Sequence, residues 1–310
     1  MDMNHPKVSI IVLNWNGLDD TVECLDSLRK ITYPNYEVIV VDNASQGNDV
    51  EILRSKFGDY IQIIENDKNS GFAEGNNIGM RSALKKSNVA YFLLLNNDTV
   101  VGPDFLDELV KVSESEAEIG IVGPKIYYHN FQGRKNVIWF AGGTIMKWRR
   151  WIYHGIGWND DDLPQYQNTA NVHWVSGAAM MLKRSVIERI SYLDSRYFFG
   201  NEDVDYCLRA RKHGFKIVYA PTAKVWHKVG MSREKVEATK NRLEPSFVNL
   251  YSYYRLIRKN FSFPIYVYHL GLLPAILFQW GISYLVKRRD RETLIKFLKS
   301  LLRGQLRDKN

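Results

Sequence analysis

The chain has 310 residues, 45% of them hydrophobic and 25% charged, with only two cysteines. That excludes a disulfide-stapled miniprotein and a low-complexity disordered chain, and leaves room for one large domain or two ordinary ones. The net charge of +8 is uneven: residues 251–310 hold 12 Lys+Arg against 3 Asp+Glu, and the first 250 residues 30 against 31. This argues against a nucleic-acid-binding body and for a tail that meets an anionic surface.

Cys24 and Cys207 both fall in predicted helices without a C-x-x-C neighbour, which fits a reducing compartment. Residues 1–7 show no charged head followed by an apolar run, so no signal peptide is expected and the expected location is cytoplasmic.

In chain order, Val8–Leu13 is a short β-branched strand, Asn14-Trp15-Asn16-Gly17 a turn, and 18–30 an amphipathic helix. Tyr36–Val41 is a second strand ending at Asp42-Asn43-Ala44-Ser45, and 49–57 is helical. Tyr60–Ile64 is a third strand. Asn69-Ser70-Gly71 through Asn76-Asn77 then leads into a helix reaching about Lys85. Tyr91–Leu95 is an apolar run that reads as a strand buried on both faces, and it runs straight into Asn96-Asn97-Asp98. Strands alternating with helices imply βαβ units and a mostly parallel sheet flanked by helices.

Polar clusters therefore close successive strands at 14–16, 42–45 and 96–98, and ligands of open α/β sheets sit beyond these strand ends. A carboxylate beside two amides there suits a divalent cation, although a capped turn would use the same residues. No G-x-x-x-x-G-K-[ST] occurs, and no G-x-G-x-x-G follows the first strand, which excludes a P-loop and argues against a dinucleotide-binding dehydrogenase.

A helix over 104–117 and a strand over 121–126 follow. Residues 127–172 are irregular and carry Trp139, Trp148, Trp151 and Trp158; they suit either a sugar- or lipid-facing surface or a small extra β layer. Val172–Leu182 reads as a strand broken at Ser176-Gly177, where the backbone approaches a ligand closely. An aromatic turn over 194–201 leads into a helix over 202–213. Its acids Glu202, Asp203 and Asp205 sit at the start and its bases at the end, as the helix dipole prefers. Strands over 216–219 and 223–227 end at His227.

Beyond residue 230 a helix is expected over 232–259 with a kink at Pro245. Residues 265–286 hold no Asp, Glu, Lys or Arg. Pro274, His269 and Gln279 and the basic flanks on both sides argue against a span. Residues 292–306 form a basic amphipathic pattern of interfacial type. The tail is expected to lie on a membrane, with packing on the body or homodimer formation as the other readings.

In these motifs the chain resembles inverting glycosyltransferases of family 2, with the GT-A nucleotide-diphosphosugar transferase fold over about residues 6–230. The resemblance implies a nucleotide-binding half over 1–100, an acceptor and catalytic half over 101–230, and a tail over 231–310. It places Asn14, Trp15, Asn16, Asp42, Asn43, Ser70, Gly71, Asn76, Asn96 and Asn97 around a nucleoside-diphosphate sugar, dTDP- or UDP-linked, with Asp42 toward the base.

Asn96-Asn97-Asp98 stands where the family carries D-x-D. Only the last acid is retained, which puts metal affinity in doubt; Asp98 and His227 would hold Mn²⁺ or Mg²⁺. Asp203, in an E-D pair with Glu202, would be the general base. Trp174, Ser176, Gly177 and Asp205 would face a glycan or lipid-linked acceptor. The same motifs are most similar to the bacterial rhamnosyltransferase-like branch, with a peripheral place at the inner face of the cell membrane. A nucleotidyltransferase and a non-catalytic nucleotide- or sugar-binding module remain as the alternatives.

Overall fold

The computed structural model describes residues 5–86, 88–198, 200–229 and 245–282. Its centre is a parallel run of four strands: β1 (Lys7–Asn14), β2 (Tyr36–Asp42), β3 (Ile61–Glu65) and β4 (Val89–Asn96), ordered β3-β2-β1-β4. The crossovers are α1 (Leu18–Leu28), α2 (Asp49–Phe57) and α3 (Gly71–Leu84). Leu93 and Leu94 are fully buried, as a run covered on both faces must be.

The second half adds β5 (Thr99–Val101), α4 (Phe105–Glu114), β6 (Ile119–Tyr128), β7 (Ile138–Phe140), the hairpin β8 (Gly143–Ile145) and β9 (Tyr153–Gly155), and the short β10 (Ala170–Asn171). Then come β11 (Ala179–Lys183), α5 (Arg184–Ile190), α6 (Glu202–Lys212) and β12 (Lys216–His227). β11 joins the halves by lying antiparallel between β4 and β6, and β6 pairs in parallel with β12.

Three expectations are corrected. The strand read over 172–182 begins only at Ala179, because 176–178 is a turn closed by Ala179 N–H donating to the Ser176 carbonyl at 3.2 Å. The two strands read at 216–219 and 223–227 are one strand, with a register shift between Ala220 and Lys224. Pro221 lies inside that shift, where its missing N–H leaves no ladder bond unmade. The irregular stretch 127–172 holds four short strands, so part of it is an extra β layer. Trp139 and Trp151 pack against the core, while Trp148 and Trp158 are exposed.

In the tail, α7 spans Pro245–Asn260 and α8 spans Phe263–Ile282. The helix expected over 232–259 is described only from Pro245 onward, and residues 232–244, with the kink expected against them, lie outside the described residues. Both helices dock on the body. The Tyr253 hydroxyl accepts from Ile152 N–H at 3.0 Å, and His269 Nε2 lies 3.0 Å from the Lys147 carbonyl. Among the described residues no helix is long and apolar enough to cross a membrane. The amphipathic pattern at 292–306 lies outside the described residues.

Candidate functional site

One side of the candidate site is built from the carboxyl ends of β1 and β2. Asn14, fully buried, donates from Nδ2 to Asp42 Oδ1 at 2.8 Å and to Asp49 Oδ2 at 3.0 Å, and accepts from Thr21 Oγ1 at 2.8 Å. Asp42 also accepts from the Ser45 N–H and hydroxyl at 2.9 and 2.6 Å. Asn16, at a positive φ of 51°, takes the Gln46 N–H at 2.6 Å on Oδ1, while its own N–H donates to Ser45 Oγ at 2.9 Å. The two turns are thus locked together, and Trp15 projects from them 36% exposed.

Asn43 works the same way one strand over. Its Oδ1 accepts from Ser70 N–H at 3.0 Å and its Nδ2 donates to the Gly71 carbonyl at 3.2 Å. Gly71 has φ +81°, and a Cβ there would lie 2.6 Å from the Phe198 carbonyl oxygen, so only glycine fits. Asn76 donates to the Phe72 carbonyl at 2.9 Å. Asn14, Asn43 and Asn76 therefore shape the floor through bonds already made within the protein.

The strand end of β4 divides its three polar residues by role. Asn97 turns back, donating to Thr21 Oγ1 at 2.9 Å and crowding Gly17, whose Cβ would stand 2.5 Å from Asn97 Nδ2. Asn96 keeps a half-buried side chain without a hydrogen bond to other described residues. Asp98 is buried, with Oδ1 3.1 Å from His227 Nε2. The β5–β12 pairing brings these two together, since it sets His227 opposite Thr99, and Lys228 N–H donates to the Asp98 carbonyl at 2.9 Å. Burial raises the Asp98 carboxyl, but His227 and Lys228 outweigh it and leave it below the usual carboxylate range.

Asp203 sits in the first turn of α6. Its Oδ2 accepts from Gly177 N–H at 2.9 Å and its Oδ1 from Val204 N–H at 2.8 Å. The 176–178 turn that supplies Gly177 also receives Asn96 N–H on the Ala178 carbonyl at 2.9 Å. A short chain of bonds thus links the end of β4 to Asp203. Desolvation raises the Asp203 carboxyl, and these backbone donors only partly offset it. Glu202 is pushed up by burial and then by the neighbouring Asp203 charge.

Aromatic residues wall the other side. Trp174 is 8% exposed, packed against Phe140 at 4.7 Å and Tyr153 at 5.6 Å between ring centroids. It is a wall rather than an open platform. Tyr153 was not singled out in the sequence. Its phenol is raised first by burial and then by Asp203 and Glu202, so it lies within their field. Ser176 is buried, and its hydroxyl accepts the Ala178 N–H at 3.2 Å inside the turn. Gly177 touches the site through its N–H, with the Phe72 ring 3.2 Å from where its Cβ would be.

Asp205 is moved off the acceptor side. It is fully buried and accepts from Arg209 Nε at 3.0 Å, Lys259 Nζ at 2.8 Å and Asn260 Nδ2 at 2.7 Å. Asp203 and Asp205 are two positions apart on a helix, so they point about 200° apart. Asp205 ties α6 to α7.

Four buried polar atoms in this region lack a partner: Trp174 Nε1, Asn201 Oδ1, Glu202 Oε2 and His227 Nδ1. Such an orphan costs about 1–3 kcal/mol, so each of these atoms has bonding capacity left for a ligand or water. No group of three or more His, Cys, Asp or Glu converges for a metal among the described residues. The donor set is one carboxylate and one imidazole, with Asn96 at the same strand end. That fits a cation that takes its remaining ligands from phosphate oxygens and water.

The family model for "Glycosyltransferase like family 2" matches residues 5–243. A hexosyltransferase of low-salt glycan biosynthesis, Agl10 of Haloferax volcanii, is 26% identical over 75% of this chain and 70% of its own length. The O-antigen biosynthesis protein RfbC of Myxococcus xanthus is 28% identical over 74% of this chain, which spans only 18% of that protein.

Among solved structures, GalNAc-T7 with UDP, GalNAc and Mn²⁺ superposes with a TM-score of 0.63 at 18% identity, over 83% of this chain and 48% of that one. The mannosyltransferase PcManGT of Pyrobaculum calidifontis, in complex with GDP-Man and Mn²⁺, gives 0.54 at 18% identity over 99% and 89%. Both likenesses are of fold. With the family model covering most of its length, the chain belongs to the glycosyltransferase-like family 2 and is a glycosyltransferase of the GT-A fold.

Proposed function

We propose that the chain is an inverting glycosyltransferase that moves a sugar from a nucleoside diphosphate to a glycan or lipid-linked glycan. The observation that carries the reading is the placement of Asp203. It is a carboxylate of raised pKa, held by the Gly177 and Val204 N–H groups and linked through the 176–178 turn to the donor strand end at Asn96.

The acceptor hydroxyl gives its proton to Asp203 as its oxygen bonds to C1. The C1–O bond to the phosphate breaks on the opposite face, and the nucleoside diphosphate leaves with the electron pair. A divalent cation held by Asp98 and His227, when bound, supplies charge neutralisation to the departing diphosphate. Asn96 orients the ribose or a water, and Asp42 and Ser45 hold the turn against which the base lies. Trp174 and Tyr153 exclude water from the acceptor side.

The likeness to RfbC, a protein of O-antigen biosynthesis, supports a polysaccharide acceptor, while a rhamnosyl donor on dTDP rests on the resemblance of the Asn96-Asn97-Asp98 and Asn201–Asp205 motifs. The Mn²⁺ described in both structural neighbours supports the cation. The division at about residue 230 goes with this reading: a catalytic unit before it, and after it a tail that places the enzyme at a membrane surface.

Thermal unfolding with UDP, dTDP, GDP or CDP, each with and without Mn²⁺, tests the donor site. A ligand at 100 times its Kd stabilises by about 2.7 kcal/mol. One nucleotide should stabilise in a Mn²⁺-dependent way, and Asp98→Ala should remove the metal dependence. Stabilisation by no nucleotide in folded protein would overturn the donor assignment and favour a non-catalytic module.

A further inference from the structure

We infer that the cleft between α7 and the start of α8 binds the phosphate group of an anionic membrane lipid. The cleft has a volume of ≈ 350 Å³ and is lined by Arg196, Tyr254, Arg255, Arg258, Lys259 and Tyr266. Two of its cations are neutralised. Arg196 grips Asp194 with Nε and Nη2 at 2.8 and 2.7 Å, and Lys259 bridges Asp194 and Asp205 at 2.9 and 2.8 Å. Arg255 and Arg258 have no carboxylate partner among the described residues. The Arg255 guanidinium lies 5.6 Å over the Tyr251 ring and donates from Nη2 to that hydroxyl at 3.2 Å. Its Nε is buried with no hydrogen-bond partner. A planar guanidinium with a free donor, beside a second arginine and two phenols, is the chemistry that takes a phosphate oxygen.

What lies beside the cleft identifies the source of that phosphate. α8 contains no Asp, Glu, Lys or Arg, and its residues Ile265, His269 and Ile276 are buried against the molecule. The other face shows Phe263, Val267, Leu270 and Phe278, exposed by 75, 47, 38 and 72%. That spacing is one continuous helical stripe. Trp148, 60% exposed, meets Tyr268 edge-on at 5.3 Å, and exposed Trp and Tyr are the residues enriched at membrane boundaries. An apolar stripe for acyl chains with an arginine cleft at one end is the arrangement of an interfacial helix on anionic lipid. The inference rests on the membrane-surface reading of the tail proposed above and assigns the headgroup site that reading lacks.

The test is sedimentation of the full chain with vesicles of phosphatidylcholine alone or doped with phosphatidylglycerol. Wild type should bind the doped vesicles more tightly. R258Q should lose about fivefold, and R255Q/R258Q about thirtyfold, of that affinity, with the nucleotide-induced thermal shift unchanged. F263E/F278E, at exposed positions, should abolish binding to both vesicles.

Equal binding to neutral and doped vesicles, unmoved by the arginine variants, would overturn the cleft while leaving the membrane face standing. No binding to either vesicle would overturn both. Self-association of the wild type that F263E/F278E removes would assign the stripe to a second copy instead. Competition by millimolar inorganic phosphate at constant ionic strength would show that the cleft takes free anion and would overturn the lipid assignment.

Discussion

Asp205→Ala separates a structural carboxylate from a catalytic one. The side chain is fully buried and receives Arg209, Lys259 and Asn260. Each donor keeps a second acceptor: Arg209 the carbonyls of Ile190 and Tyr192, Lys259 the Asp194 carboxylate, Asn260 the Leu256 carbonyl. None is therefore stranded, but half-buried Arg209 loses its carboxylate and the more exposed Lys259 loses one of its two. Breaking a buried pair costs about 3–5 kcal/mol, and the surviving acceptors put this case near 3. For a chain of 310 residues that is a fall in melting temperature of roughly 5 °C. Asp205→Asn, which keeps the shape, should cost about half as much. In the folded fraction, turnover per molecule should stay within a few-fold of wild type. An Asp205→Ala protein with an unchanged melting temperature and lost turnover would refute the assignment and return Asp205 to the acceptor side.

Asp203→Asn should lower kcat by about 10²–10⁴-fold while the nucleotide-induced thermal shift survives; wild-type turnover would overturn the base. Stability and turnover should run in opposite directions with pH. Asp203 and Glu202 are raised above 3.8 and 4.5, so the native state binds more protons than the unfolded chain. Stability is therefore lost as pH rises through their raised values, whereas turnover needs the ionised base and rises, and parallel denaturation and rate profiles read both. Asp162→Ala strips fully buried Lys125 of its carboxylate at 2.8 Å and leaves it Gln167 at 3.0 Å. It should cost about 3–5 kcal/mol by urea unfolding, whereas Lys125→Met together with Asp162→Ala should be nearly neutral. Gly71→Ala should cost at least about 2 kcal/mol in the same assay, because φ +81° and the Phe198 carbonyl both oppose a Cβ.

The parallel half was legible because its strands are apolar runs ended by polar residues, and the same ends carry Asn14, Asp42 and Asn96. The role of each polar residue was less so. Asn14, Asn43 and Asn97 read as ligand contacts, but their amides are spent on neighbouring turns, and only pairing partners 28 to 76 positions away reveal it. Asp205 was recoverable, since helical geometry alone turns it away from Asp203. Tyr153 was not, because nothing local marks one tyrosine among 18. The three-residue β5 and the β8–β9 hairpin have too few residues for any period to emerge, and the apolar run over 172–182 does not show that its paired part starts at Ala179. α8 read correctly as an uncharged stretch, but the burial of His269 against Lys147 depends on where the helix docks.

The position of β11 also governs how the molecule is made. Its strand neighbours β4 and β6 are complete by residue 128, yet the strand that fills the space between them is not synthesised until residues 179–183. A nascent chain released earlier carries the four-stranded parallel half with the outer edge of β4 unpaired, an open template for another chain. His227 is later still, so the Asp98 pocket closes only when β12 is laid down. Synthesis that stops short therefore yields a sticky intermediate rather than a half-active one. Ribosome-stalled chains ending before residue 170 should be protease-sensitive at β4, and those extended past residue 230 resistant there.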